Sequence, residues 1–171
     1  MRLRTDLKIN GRLHRKGSSI AWYSIYPFFL VHMLMFGLSG FFMAYSSDGP
    51  GLGFLYMHGG LAIFVYTIFY ISFFGLDEVK WMFINSLLGL LGIYAQIDLI
   101  LSIFGKQASD FPLSVHIIPF LYYILYTFLL YQMVLDISRA RDNPERKRVV
   151  EGFYVVGSVL IYGVIYLKAS V

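Results

Sequence analysis

Histidine is the residue type in this sequence best suited to bind a cofactor, because the chain contains no cysteine. That absence excludes disulfides, thiolate-bound zinc, iron–sulfur clusters and cysteine nucleophiles. Three of the four histidines, His32, His58 and His116, lie within long apolar segments. An ionisable side chain inside a membrane costs about 2.5 to 3.5 kcal/mol on insertion scales, so these residues are the first candidates for a functional site. His14 lies in a basic segment and is expected to be solvated.

The positions of His58 and His116 predict that they lie at a similar depth. Each follows the predicted outer end of its helix by about one turn, whereas His32 lies near the middle of the first helix. Two histidines at one level on different helices are the minimum set for axial ligation of a b-type haem, or for part of a metal or proton-relay site. Gly59 and Gly60 beside His58 leave room for a flat macrocycle. The alternative is that each histidine lies near the headgroups or hydrogen-bonds a neighbouring helix.

A second polar pattern lies in the third apolar segment. Four polar or small residues fall within about 60° of one another on a helix that turns about 100° per residue. These residues are Asn85, Gly89, Gly92 and Gln96. Such a stripe indicates either a close-packed seam, in which the amides hydrogen-bond across the contact, or a path lined by ligand or water.

Asp98 projects away from this stripe, by about 200° from Gln96. Its depth is similar to that of His58 and His116. The candidate roles are therefore an ion pair, a hydrogen bond to a ligating imidazole, or a carboxylate–histidine proton relay. The alternative is a carboxylate that reaches outward at the membrane boundary. Together, Asn85, Gln96 and Asp98 are the candidate residues for a proton or ligand path.

The composition identifies the scaffold of these residues as a membrane protein. Of the 171 residues, 58% are hydrophobic and only 14% are charged, which is more apolar surface than one soluble core can cover. Aromatic residues make up 19%, and the 14 tyrosines suit the boundary between hydrocarbon and headgroups. The net charge of +4 does not indicate nucleic-acid binding, because the charges lie in short segments between apolar runs.

Five apolar segments approach or exceed the length of about 20 residues that a helix needs to cross the hydrocarbon. They are preceded by a basic tail, residues 1–19, and lie in a single transmembrane domain, residues 20–171. The predicted spans are 20–45, 52–75, 79–104, 112–137 and 149–167. We therefore predict an all-α bundle of five transmembrane helices.

The distribution of lysine and arginine predicts the orientation. With five spans, every Lys and Arg except Lys106 and Lys168 falls on the same side of the membrane. The positive-inside rule places that side in the cytoplasm or matrix, with the N-terminus inside and the C-terminus outside. We expect this inner face to attract anionic lipid headgroups or a soluble partner, and Asp136 to pair with an arginine there. Its candidate docking residues are Arg139, Arg141, Arg146, Lys147 and Arg148.

The sequence contains no motif of a soluble enzyme class. A phosphate-binding glycine loop, a zinc-protease motif, a nucleophile elbow and carboxylates paired at hydrolase spacing are all absent. Whether the chain is an enzyme therefore stays open at this level. The first apolar segment is too long for a cleaved signal peptide, which favours a retained anchor in a bacterial inner membrane, with the mitochondrial inner membrane as the alternative.

Three functional hypotheses follow. The first is a membrane-embedded subunit of a larger complex, energy-transducing complexes included, that works by packing its helices against partner subunits. The second is a redox membrane protein that holds a b-type haem between His58 and His116, with a quinone nearby. The third is a small transporter or channel that uses the path of Asn85, Gln96 and Asp98.

Overall fold

A computed structural model of the protein describes residues 3–9 and 12–169, and within them the chain is mostly helical. A short β-hairpin, β1 (Leu7–Ile9) and β2 (Arg12–His14), precedes six α-helices. The helices are α1 (Trp22–Tyr45), α2 (Leu52–Phe74), α3 (Leu76–Leu88), α4 (Leu90–Ile103), α5 (Leu113–Ile137) and α6 (Pro144–Ala169). A 3₁₀ turn, Ala108–Asp110, lies just before α5.

Three helices of the described part are long and apolar enough to cross a membrane, namely α1, α2 and α5. The successive helices α3 and α4 add a fourth crossing if the pair forms a single bent span. Many large apolar side chains on these helices are exposed, which suits a surface that faces lipid rather than water. The protein is thus a mostly helical bundle in which three helices could cross a membrane.

The predicted third span, 79–104, is not one straight helix. The helical chain already begins at Leu76, and it bends by 72° at Gly89, between α3 and α4. Glycine destabilises a helix interior by about 1 kcal/mol relative to alanine and is a common residue at sharp kinks. The bend divides the predicted polar stripe, because Asn85 lies on α3 and Gln96 on α4.

The helix that contains the predicted fifth span, 149–167, begins earlier than predicted, at Pro144. Proline is well tolerated in the first turn of a helix, where its missing N–H would have no partner. The side-chain Oδ1 of Asn143 accepts the backbone N–H of Arg146 at 3.0 Å and so caps this end. The cationic stretch from Arg146 to Arg148 therefore lies on the first turns of α6 rather than in a loop.

The basic tail is folded onto the bundle. The strands β1 and β2 pair antiparallel, with Leu7 opposite His14. Leu3 is buried, and its backbone N–H donates to the carbonyl of Ser18 at 3.1 Å. The hydroxyl of Thr5 donates to the carbonyl of Ser72, near the end of α2, at 3.0 Å. The tail is thereby fixed next to the junction of α2 and α3.

The core lies between α1, α2 and α5. Small residues on α1 and α2 leave space for large side chains of α5. A Cβ atom added at Gly40 would lie 3.2 Å from the ring of Tyr122, and one added at Gly59 would lie 2.5 Å from Cγ2 of Ile118. The helices therefore approach closely at these glycines, as is common in membrane bundles.

We expect Gly59→Ala to destabilise the bundle, by about 1 to 3 kcal/mol, because the new methyl group overlaps Ile118, whose β-branched side chain is stiff in a helix. The neighbouring Gly60 has no atom within 4 Å of an added Cβ, so Gly60→Ala is the matched control. The measurement is the thermal unfolding midpoint of each purified variant in mild detergent. Equal midpoints for the two variants would contradict the close helix contact at Gly59.

Candidate functional site

Three separated segments of the chain meet at one end of the bundle, which we call the basic end. They are the N-terminal tail, the α2–α3 junction at Gly75, and residues 138–143 after α5. The side chain of Arg4 lies 3.6 Å from the position that a Cβ of Gly75 would take. Arg4 also lines a cleft of about 390 Å³ together with Arg139 and Arg141. The segments that the sequence assigns to one side of the membrane thus lie together.

Asp136 and Arg141 form an ion pair in the cleft of the basic end. The Nε of Arg141 donates to Oδ1 of Asp136 at 2.7 Å, and the hydroxyl of Tyr26 donates to Oδ2 at 2.5 Å. The expected pairing of Asp136 with an arginine is confirmed. The Asp136 side chain is only 6% exposed, so both of its oxygens need such partners.

The surroundings of Arg141 keep its guanidinium charged. Burial by itself lowers the pKa of Arg141, but the hydrogen bond and the negative charge of Asp136 raise it, and the net shift of the pKa is upward. The ring centroid of Phe74 lies 5.9 Å from the guanidinium carbon, which adds a cation–π contact. The hydrogen bond from Tyr26 therefore connects the start of α1 to this charged pair at the end of α5.

Arg139 adopts an unusual backbone conformation at the end of α5. Its φ is +52°, in the left-handed region where glycine is the common residue. The backbone N–H of Ala140 donates to the carbonyl of Leu135 at 2.9 Å, which closes the helix in the manner of a Schellman motif. Among the described residues other than glycine, only Arg139 has a positive φ.

His116 lies at the opposite end of the bundle and is buried. Its Nδ1 is 2.7 Å from the hydroxyl of Tyr45, and its Nε2 is 3.1 Å from the carbonyl oxygen of Ala108. A carbonyl oxygen only accepts, so Nε2 carries the hydrogen. Both ring nitrogens are therefore engaged, and ligation of a haem iron would require one of these bonds to break.

The other two candidate histidines have different surroundings. His58 is partly buried between the rings of Phe36 and Phe54, at centroid distances of 5.8 and 5.9 Å. His32 is exposed, and its Nδ1 lies 3.2 Å from the carbonyl oxygen of Phe28 on its own helix. The haem hypothesis stays a prediction, and the contacts of His116 favour the alternative in which the histidines hydrogen-bond neighbouring segments.

Asp98 and His116 both form a hydrogen bond with the backbone of Ala108. Its Oδ1 accepts the backbone N–H of Ala108 at 2.6 Å, while His116 binds the carbonyl of that residue. The two predicted partners are thus joined through Ala108 rather than by a direct bond. Lys106 donates from Nζ to the carbonyl of Tyr45 at 2.5 Å. These contacts fix the loop between α4 and α5 to the end of α1.

The three residues of the predicted transport path lie in three different surroundings. Asn85 lines an open cleft of about 520 Å³ between α3, α5 and α6. Gln96 accepts a hydrogen bond from the hydroxyl of Tyr123 on α5. Asp98 binds the backbone of the α4–α5 loop, as described above. The amide of Gln96 therefore stabilises a helix contact, in agreement with the seam interpretation at that residue.

Sequence reasoning missed a polar contact between α5 and α6. The hydroxyl of Tyr131 donates to Oε1 of Glu151 at 2.5 Å, and Nζ of Lys147 lies 3.8 Å from the same oxygen. Both Glu151 and Tyr131 line the cleft that contains Asn85. The sequence could have indicated this contact, because Glu151 is an acidic residue inside a predicted membrane span.

No metal site is apparent in the described ranges, since no group of three or more His, Asp or Glu residues lies close enough to hold an ion.

Comparison with known proteins gives no relative: no protein-family model, no curated protein and no solved structure matches this chain. The functional assignment therefore depends on the geometry described above.

We expect Asp136→Asn to destabilise the protein by about 3 kcal/mol, because it leaves the guanidinium of Arg141 largely buried without a counter-charge. Tyr26→Phe removes a single hydrogen bond to the same carboxylate, so its expected cost is smaller, about 1 to 2 kcal/mol. The free energy of unfolding of both variants in detergent tests this order. A larger effect of Tyr26→Phe would show that the ion pair is not the dominant contact.

We expect His116→Ala to lower the thermal midpoint of protein purified without haem, because Tyr45 and Ala108 lose a common partner. His32→Ala, at an exposed position, is the control and should leave the midpoint unchanged. The visible spectra of the oxidised and dithionite-reduced wild-type protein test the haem alternative in the same preparation. Sharp α and β bands that disappear in both His116→Ala and His58→Ala would overturn the structural role of His116.

Proposed function

We propose that the chain is a membrane-embedded subunit of a larger membrane complex and works by packing its helices against those of partner subunits. The proposal is supported by α6, in which none of the described side chains is buried. Large apolar residues of this helix are exposed, Phe153 at 76% and Leu160 at 63% among them. The helix thus offers a long apolar surface that the rest of the chain does not cover.

The glycines of α6 support this proposal, because none of the three packs against another helix of the described chain, whereas several glycines of the core helices do. Gly40 and Gly59 each meet a large side chain of α5, whereas Gly152, Gly157 and Gly163 have no atom within 4 Å of an added Cβ. A glycine that faces lipid lowers helix stability and adds no packing. Small residues on membrane helices are typical of contacts with another helix, so we assign the uncovered surface at Gly157 to a helix of a partner subunit.

The proposed orientation places the basic end in the cytoplasm, or in the matrix if the membrane is mitochondrial. The support is the positive-inside rule together with the contacts that bring the tail, Gly75 and residues 138–143 to one end. A bacterial inner membrane is the preferred location. The short segments between the helices leave the helix surfaces as the main area for partner contact.

One observation favours the quinone part of the redox hypothesis as a second candidate function. An almost entirely apolar cleft of about 570 Å³ lies between α4 and α5. The rings of Tyr94, Phe120 and His116 line it, and they suit the flat head group of a lipid-soluble quinone. This candidate needs no haem and leaves the hydrogen bonds of His116 intact.

We expect Gly157→Leu to release the partner subunit, because the larger side chain blocks the close approach of a second helix. The tagged chain is purified from its native host in mild detergent, and its mass is measured by native mass spectrometry. The wild-type protein should retain at least one further membrane protein in a fixed ratio, and the variant should lose it.

The matched control is Gly60→Leu, a change at an equally open glycine on α2. This variant should keep the partner, and both variants should have the thermal midpoint of the wild-type chain. The proposal is contradicted if the wild-type protein is a stable monomer with no co-purifying protein, or if both variants lose the partner equally.

A further inference from the structure

We propose that Arg4 and Arg139 bind the phosphate group of an anionic phospholipid in the cleft of the basic end. The two arginines are 135 residues apart in the sequence, yet they line the same cleft. An arginine guanidinium matches a phosphate group in geometry and forms paired hydrogen bonds with it. Convergence of two such groups on one cleft is the arrangement expected of a phosphate site.

The charge of the cleft remains positive after its internal pairs are counted. Asp136 is committed to Arg141 and Tyr26. Arg4 and Arg139 form no ion pair within the described part of the chain. Asp142 also lines the cleft, but it is a single exposed carboxylate beside two arginines that form no ion pair among the described residues. An anion is therefore the ligand that the cleft favours.

The backbone of Arg139 gives an independent reason to assign it a binding role. Its left-handed conformation, with φ at +52°, is one that glycine adopts without strain. Strained residues persist where the surrounding structure holds them, and they cluster at functional and ligand-binding sites. The strain is explained if the guanidinium is needed at this position, since glycine would close the helix equally well.

The walls of the cleft favour a lipid over a free anion. The largely buried side chains of Phe73, Phe74 and Leu135 line the cleft beside the arginines. The cleft lies where α2 and α5 end, which is the depth of the lipid headgroups if these helices cross the membrane. A phospholipid places its phosphate next to its apolar chains, so it contacts both kinds of surface at once.

The test is native mass spectrometry of the purified full chain in detergent, titrated separately with phosphatidylglycerol, phosphatidylcholine and inorganic phosphate. We expect phosphatidylglycerol to bind the wild-type protein about tenfold more tightly than phosphatidylcholine, because only the former carries a net negative charge. Arg139→Gly should abolish this preference while the thermal midpoint stays equal or rises, since glycine relieves the strain. Arg4→Gln should also abolish the preference.

The control is Arg146→Gln, at an exposed arginine on the first turn of α6. It should leave the preference unchanged. The proposal is overturned if Arg139→Gly binds phosphatidylglycerol as tightly as the wild-type protein does. It is also overturned if Arg146→Gln weakens binding equally, which would indicate a diffuse basic surface, or if inorganic phosphate at equal concentration displaces the lipid, which would indicate a site for free anions.

Discussion

The close approach of α5 to α1 and α2 is the constraint on which the rest of the structure depends. In a bilayer, helices gain little from burying apolar surface against each other, so packing and hydrogen bonds must hold them together. Glycines make this possible, because Gly40 and Gly59 leave the space that Tyr122 and Ile118 occupy. The helix α5 also carries polar residues near both of its ends. Its position against α1 and α2 therefore decides which groups those polar residues meet.

The polar groups at the two ends of the bundle are hydrogen-bonded to different kinds of partner. A polar group in a low-dielectric environment is costly unless it is hydrogen-bonded. At one end, His116 and Asp98 satisfy the backbone of Ala108 and so fix a loop. At the basic end, Asp136 is satisfied by the side chains of Arg141 and Tyr26. At the first end the polar side chains bind the protein's own backbone. At the basic end Arg4 and Arg139 form no such ion pair with any described residue and line a cleft.

The sequence predicted the bounds of α1, α2 and α5 to within about two residues, because bilayer thickness sets the length of an apolar helix. It did not predict the bend at Gly89, because a glycine permits a kink without requiring one, and packing decides. The hairpin could have been predicted, since Asn10-Gly11 between two short runs is a strong turn signal. The partners of His116 could not, because they depend on how helices far apart in sequence cross.

Two energetic costs lie close together where α5 approaches the basic end. Gln132 is only 1% exposed, and its side-chain amide has no hydrogen-bond partner within the described part of the chain. Arg139, two turns further on, has the left-handed backbone described above. An apolar residue at the first position and a glycine at the second would remove both costs without changing the fold. Helix stability does not explain Arg139, and this residue is better understood through the cleft that it lines.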